Sequence, residues 1–124
     1  MAFQSPAAGY AEQRIRFSDL VHLSPYSTYV LRSAGDYPGA GIVEGSLLAV
    51  DRGLTPAHGQ IVIAEVDNEL VIRRLLLTPA PALQTLNGEC SVTQLNEGEP
   101  LPIWGVVAYA LTDLAGLGFR QMPE

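Results

Sequence analysis

Along this chain, short runs of alternating apolar and polar positions are broken by Gly, Pro, Asn and Asp at close intervals. The pattern predicts strands over 27–33, 47–50, 60–66, 69–77, 82–86, 90–95 and 103–111. The stretch 27–33 is rich in β-formers (Thr28, Tyr29, Val30), and 47–50 is a continuous apolar run of the kind a buried strand shows. Asp67-Asn68 between two such runs signals a tight hairpin. Thr55-Pro56-Ala57-His58-Gly59 reads as a turn, and Pro79 and Pro81 end the strand that follows the hairpin. Helix signals are few. Ser18-Asp19-Leu20-Val21-His22-Leu23 opens on a good N-cap residue and predicts about one and a half turns, stopped by Pro25. Residues 14–17 read as a short extended piece.

Many short strands at close spacing predict an all-β barrel or sandwich with one short N-terminal helical turn. At 124 residues the chain is one domain with room for a single core. The expected organisation is a flexible arm over 1–11, a β domain over 12–112 and a tail over 113–124. The tail carries Leu114, Leu117 and Phe119 with two glycines, and is expected to dock irregularly on the surface.

Charge narrows the partners. A net charge of −6 argues against direct binding to a phosphate backbone, which needs clustered basic residues. All seven basic residues are arginines, so the chain has no lysine. The one cysteine, Cys90, cannot form an internal disulfide; it reads as a small buried hydrophobe in a reducing compartment. No apolar run approaches the roughly 20 residues of a membrane span and no signal peptide opens the chain, so a cytoplasmic location is expected. No cluster has metal-ligand spacing and no cofactor is implied. Gly39-Ala40-Gly41 lacks the further glycine and helix of a phosphate loop. His58 reads as a turn residue capping its own backbone rather than as a base for Ser33 or Ser46, and His22 as helix surface.

The stretch Arg32–Asp51 carries a resemblance. Gly35-Asp36, followed by Gly41-Ile42-Val43-Glu44-Gly45-Ser46-Leu47-Leu48-Ala49-Val50-Asp51, resembles the active-site segment of the self-cleaving LexA/UmuD peptidase family. The hairpin His58-Gly59-Gln60-Ile61-Val62-Ile63-Ala64 with Glu69-Leu70-Val71-Ile72-Arg73-Arg74-Leu75 is similar to that family's second block. The opening Ser5-Pro6-Ala7-Ala8-Gly9-Tyr10-Ala11-Glu12-Gln13-Arg14-Ile15 resembles the sequence just after the cut in UmuD-type chains. Only four residues precede it, so the chain is expected to start about where the processed form, UmuD′, starts.

The resemblance implies a C-terminal-domain-like β-clip barrel of the LexA/UmuD kind. It also implies that the family's Ser-Lys dyad is replaced. Tyr37-Pro38 stands where Ser-Met belongs, the turn is one residue short, and the lysine position falls on Arg73. A guanidinium keeps its proton in proteins, whereas the dyad needs a desolvated lysine as base. Val71 and Leu75 flank Arg73 in alternation, so its face is expected to be half buried, with Asp36 as a carboxylate partner or water in its place.

The expected function is therefore a catalytically inactive UmuD′-like accessory subunit of an error-prone translesion polymerase of the polymerase V type, in the SOS response. By resemblance the partners are a UmuC-like catalytic subunit, a RecA filament and a second copy of the chain, with DNA touched only indirectly. Ser18, Val21, Ile63 and Leu70 are the candidates for the two-fold interface. Two alternatives stand: a dead-peptidase regulator forming mixed dimers with an active UmuD or LexA relative, and a peptidase with a rearranged nucleophile such as Ser33 or Ser46.

Overall fold

The computed structural model describes residues 16–120. The predicted arm and the matched opening at 5–15 lie outside the described residues. Seven strands form one antiparallel sheet: β1 (Thr28–Arg32), β2 (Leu47–Asp51), β3 (Ile61–Val66), β4 (Glu69–Leu76), β5 (Ala82–Gln84), β6 (Val92–Gln94) and β7 (Ile103–Leu111). Their order is β1-β2-β7-β3-β4-β5-β6, so the last strand in the chain lies between the N-terminal pair and the β3–β6 meander. The all-β expectation holds, as an open sheet whose two faces are both covered.

Period-two alternation explains the two cores. On β3, Val62 and Ala64 point to one face and Ile63 to the other, and all three are buried. Ile63 joins Leu48, Val50, Ile72 and the loop residues Ile42 and Leu86. Val62 and Ala64 join Leu75, Leu83 and Val106. The β3–β4 turn is the hairpin the sequence announced: Asp67 and Asn68 both have positive φ, 52° and 64°. Trp104 on β7 is held at the sheet surface by an edge contact to Tyr29, with centroids 5.3 Å apart, and by Arg52 stacked 4.6 Å over its ring.

Several local expectations change. The N-terminal turn is a 3₁₀ segment, Phe17–Leu20, with Arg16 rather than Ser18 at its cap and no side-chain cap bond. Val21 is already extended, so His22 is not on a helix; its N–H donates to the Tyr109 hydroxyl at 3.1 Å. β5 stops at Gln84 because Thr85 turns the chain, donating to the carbonyl of Glu89 and accepting from Ser91 N–H. Leu86 enters the core from this loop instead of from a strand. Cys90 is exposed, not buried. In the tail Leu114 and Leu117 stand in solvent. The anchor is Asp113, whose carboxylate accepts the N–H groups of Gly116, Leu117 and Gly118. Among the described residues no helix is long and apolar enough to cross a membrane.

Two outcomes follow from this packing. A Cβ at Gly105 would stand 2.6 Å from Val50 Cγ1, where β7 meets β2. Gly105→Ala should therefore lower stability by about 1–3 kcal/mol, read from urea unfolding. The second concerns Asp113, whose carboxyl is held below the ordinary range, foremost by the Gly118 N–H and then by those of its neighbours, against a smaller opposing effect of burial. Since the folded value is depressed, the loop is secured above the ordinary carboxylate range and loosens as pH falls through the depressed value. The amide resonances of Gly116–Gly118 should titrate there in NMR spectra, and should lose that titration in Asp113→Asn.

Candidate functional site

A cleft of about 220 Å³ opens between the two halves of the sheet. One wall is the end of β1 and the turn after it, with Arg32, Ser33 and Tyr37; the other is the start of β4, from Leu70 to Arg73. The structure thus brings Tyr37 and Arg73, far apart in sequence, to one cavity.

The Tyr37 wall is a tightly closed loop. Tyr37 N–H donates to the Ile42 carbonyl at 2.8 Å, and Ile42 N–H returns a bond to the Tyr37 carbonyl at 3.2 Å. Between them Pro38–Ala40 form a 3₁₀ turn, which Gly41 ends in the left-handed region at φ 71°. Ile42 inserts into the core, and Asp36 accepts the Glu44 N–H at 2.7 Å. Arg74 reaches across from β4, donating to the carbonyls of Gly59 and Gly39 at 3.0 and 3.2 Å. That clamp fixes the loop relative to β4. The sequence reading missed it, although a second arginine beside Arg73 on an alternating strand had to point to the opposite face.

Arg73 is half-buried, as its neighbours implied, yet it does not pair with Asp36. Its Nη1 donates to the Ile72 carbonyl at 2.7 Å, while Asp36 is occupied by the Glu44 amide. The physical reason lies in the ladder. Leu75 exchanges bonds with Gln60 and Gly59 on the β3 side, so the Ile72 carbonyl faces away from β3. β5 pairs only from Arg74 onward, which leaves that carbonyl for the guanidinium.

The two alternative serines are both buried and committed. Ser33 Oγ donates to the Gly35 carbonyl at 2.7 Å, and Ser46 Oγ shares a 2.7 Å bond with Thr112 Oγ1. His58 serves neither. Its Nδ1 accepts the N–H of Leu77 at 2.8 Å, so it caps the end of β4 rather than its own turn. Of the interface candidates, Ser18 and Leu70 are exposed and Val21 is half-buried. Ile63, expected at the surface, is only 4% exposed because its side chain fills the core between Leu48 and Ile72. No group of three or more His, Cys, Asp or Glu able to hold a metal occurs among the described residues.

Protein MucA of Salmonella typhimurium is 40% identical over 113 residues, covering 90% of this chain and 77% of MucA. Protein ImpA of Shigella flexneri is 41% identical over 110 residues, covering 88% of this chain and 75% of ImpA. A LexA repressor from Azoarcus sp. (strain BH72) is 39% identical over 70 residues, 56% of this chain and 34% of the repressor. The Peptidase S24-like family model matches residues 1–108, the segment that holds all of the β1–β4 cleft, and this chain belongs to that family.

Proposed function

We propose that this chain is a catalytically silent member of its family, acting in mutagenic DNA repair as a UmuD′-like accessory subunit of an error-prone translesion polymerase. The observation that carries the reading is the chemistry of the cleft's two walls. Tyr37 offers a bulky phenol instead of a serine hydroxyl, and Arg73 a guanidinium, a group that has no neutral amine to act as a base in proteins. A Ser-Lys mechanism needs a hydroxyl and a neutral amine at these places, and the sequence contains no lysine to supply one. Ser33 Oγ is committed to the Gly35 carbonyl and Ser46 Oγ to Thr112 Oγ1, and His58 bonds to neither. The relatives MucA, ImpA and SamA support the UmuD-like assignment.

On this reading the protein works by binding. It pairs with a second copy, a UmuC-like catalytic subunit and a RecA filament in the cytoplasm during the SOS response, and meets DNA only through them, as its charge of −6 favours. The mixed-dimer regulator remains the second reading, favoured by the same silent cleft on an intact family fold. Co-purification separates the two, since the first retains a polymerase subunit and the second an active UmuD or LexA relative.

The chain should stay intact with activated RecA filaments, yet stimulate primer extension past an abasic site by its cognate polymerase subunit. Absence of stimulation together with cleavage of a family arm peptide would overturn the proposal. Tyr37→Ser with Arg73→Lys should not revive cleavage, because Pro38 and the closed 37–42 loop set the hydroxyl differently, and a displacement of about 1 Å can cost two orders of magnitude in rate. Leu70 is 48% exposed at the cleft mouth, and Leu70→Glu should shift a dimer toward monomer in light scattering. A monomeric unmodified protein at micromolar concentration would contradict the dimer.

A further inference from the structure

The β1–β4 cleft is an electrostatic exception in an acidic protein. Among the described residues it is lined by Arg32 and Arg73 and by no Asp or Glu, although Arg32 also borders the neighbouring hollow that holds Glu44 and Asp113. Arg73 is half-buried, and its one acceptor among the described residues is the neutral Ile72 carbonyl. A guanidinium carries five N–H donors, and withdrawing its charge from water is costly without an anion nearby. The Tyr37 hydroxyl, also at the cleft wall, donates to no acceptor among the described residues. Arg73, the shared Arg32 and a phenol therefore border a cavity whose lining, among the described residues, includes no carboxylate.

The backbone around the cavity has a matching property. Ser33 N–H donates to the Ser46 carbonyl and its own carbonyl accepts Gly45 N–H, so the polar groups of Arg32, one residue away, face off the outer edge of β1. β1 ends the sheet, and β4 has no second neighbour before Arg74. The β1 wall thus presents a strand edge without a ladder partner among the described residues, while on the β4 wall the Ile72 carbonyl is already taken by Arg73. An extended chain running along such an edge satisfies those groups and drops alternate side chains into the cavity.

We propose that this cleft binds an extended peptide through one acidic side chain, with Arg73, Arg32 and Tyr37 donating to its carboxylate. The proposal deepens the silent-cleft reading and rests on it, since a peptide held here is bound and not cut. Charge-assisted bonds from guanidinium are the strong ones, and carboxylate matches the guanidinium fork. Leu31 and Val71, both half-buried in the lining, supply apolar walls for the flanking residues.

The test is an NMR titration of the isotope-labelled full chain with the capped peptide acetyl-Ala-Val-Glu-Val-Ala-amide, and with its Gln counterpart. The Glu peptide should shift amides at 31–34 and 70–73 and bind about tenfold more tightly than the Gln peptide. Arg32→Gln, an exposed change on the edge strand, should remove much of that preference while leaving the Gln peptide unaffected. Arg73→Gln should do the same, and if it fails to fold the Arg32 variant decides. Equal binding of the two peptides, no binding at millimolar concentration, shifts elsewhere, or no effect of Arg32→Gln would overturn the proposal. Equal shifts with inorganic phosphate at matched ionic strength, or with the Gln peptide bearing a free C-terminus, would overturn its assignment to an acidic side chain. Mass spectrometry of the recovered peptide tests the other reading separately: a cut peptide ends the claim of silence, whereas a whole one that binds without charge preference ends only this proposal.

Discussion

The placement of β7 is the constraint on which the rest of the structure depends. Chain order would put β2 beside β3, but β7 lies between them and pairs with both. That pairing brings the last strand back to residues far earlier in the chain, as at Leu47↔Leu111 and Asp51↔Val106, a closure whose entropy the central ladders must offset. It works only because the approach at Gly105 is close: there is no room for a Cβ against Val50. Register irregularities at Ala49/Val50 and Ile63/Ala64 fall in the same region, and bend the sheet so that both of its faces can be covered. Val106, next to Gly105, is buried against Val62 and Leu75, so the strand that joins the halves also fills one core.

The cleft is a consequence of this arrangement. One of its walls belongs to the β1–β2 half and the other to the β3–β4 half, so β7 sets the distance between them. Three side chains then fix the walls locally. Asp36 holds the turn at Glu44, Arg74 ties that turn to the opposite half, and His58 secures the far end of β4. None of the three touches the cavity lining, and each works through a backbone partner. Positions of this kind keep a site in shape whatever chemistry it performs.

How much of this was legible in the sequence varied with the range of the interaction. Strand existence came through because alternation is local, and the Asp67-Asn68 hairpin because its chemistry permits positive φ at both positions. The juxtaposition of Tyr37 with Arg73 was legible only through resemblance, since nothing local relates residues in different halves of a sheet. The failures were also physical. Asp36 and Arg73 are opposite charges that sequence invites one to pair, yet each had a nearer backbone partner. Cys90 was assigned to a strand, but Thr85 had turned the chain and left it in solvent. Leu114 and Leu117 looked like anchors but stand in solvent, whereas Asp113 ordered the tail through three amides and Phe119 became half-buried beside the hollow lined by Val43.

Arg73 shows why one side chain at one position decides what such a site can do. A lysine there would gain reactivity from its half-burial, because desolvation favours the neutral amine that accepts a proton. For arginine the same burial has the opposite result. The charge stays on the guanidinium, the cost of desolvation stays with it, and only an acceptor can relieve that cost. The Ile72 carbonyl relieves part of it through one bond. On the proposed reading, its remaining donors face a cavity whose lining, among the described residues, supplies no carboxylate. Under the proposed reading, the exchange of amine for guanidinium turns the means of breaking a peptide into the means of holding one.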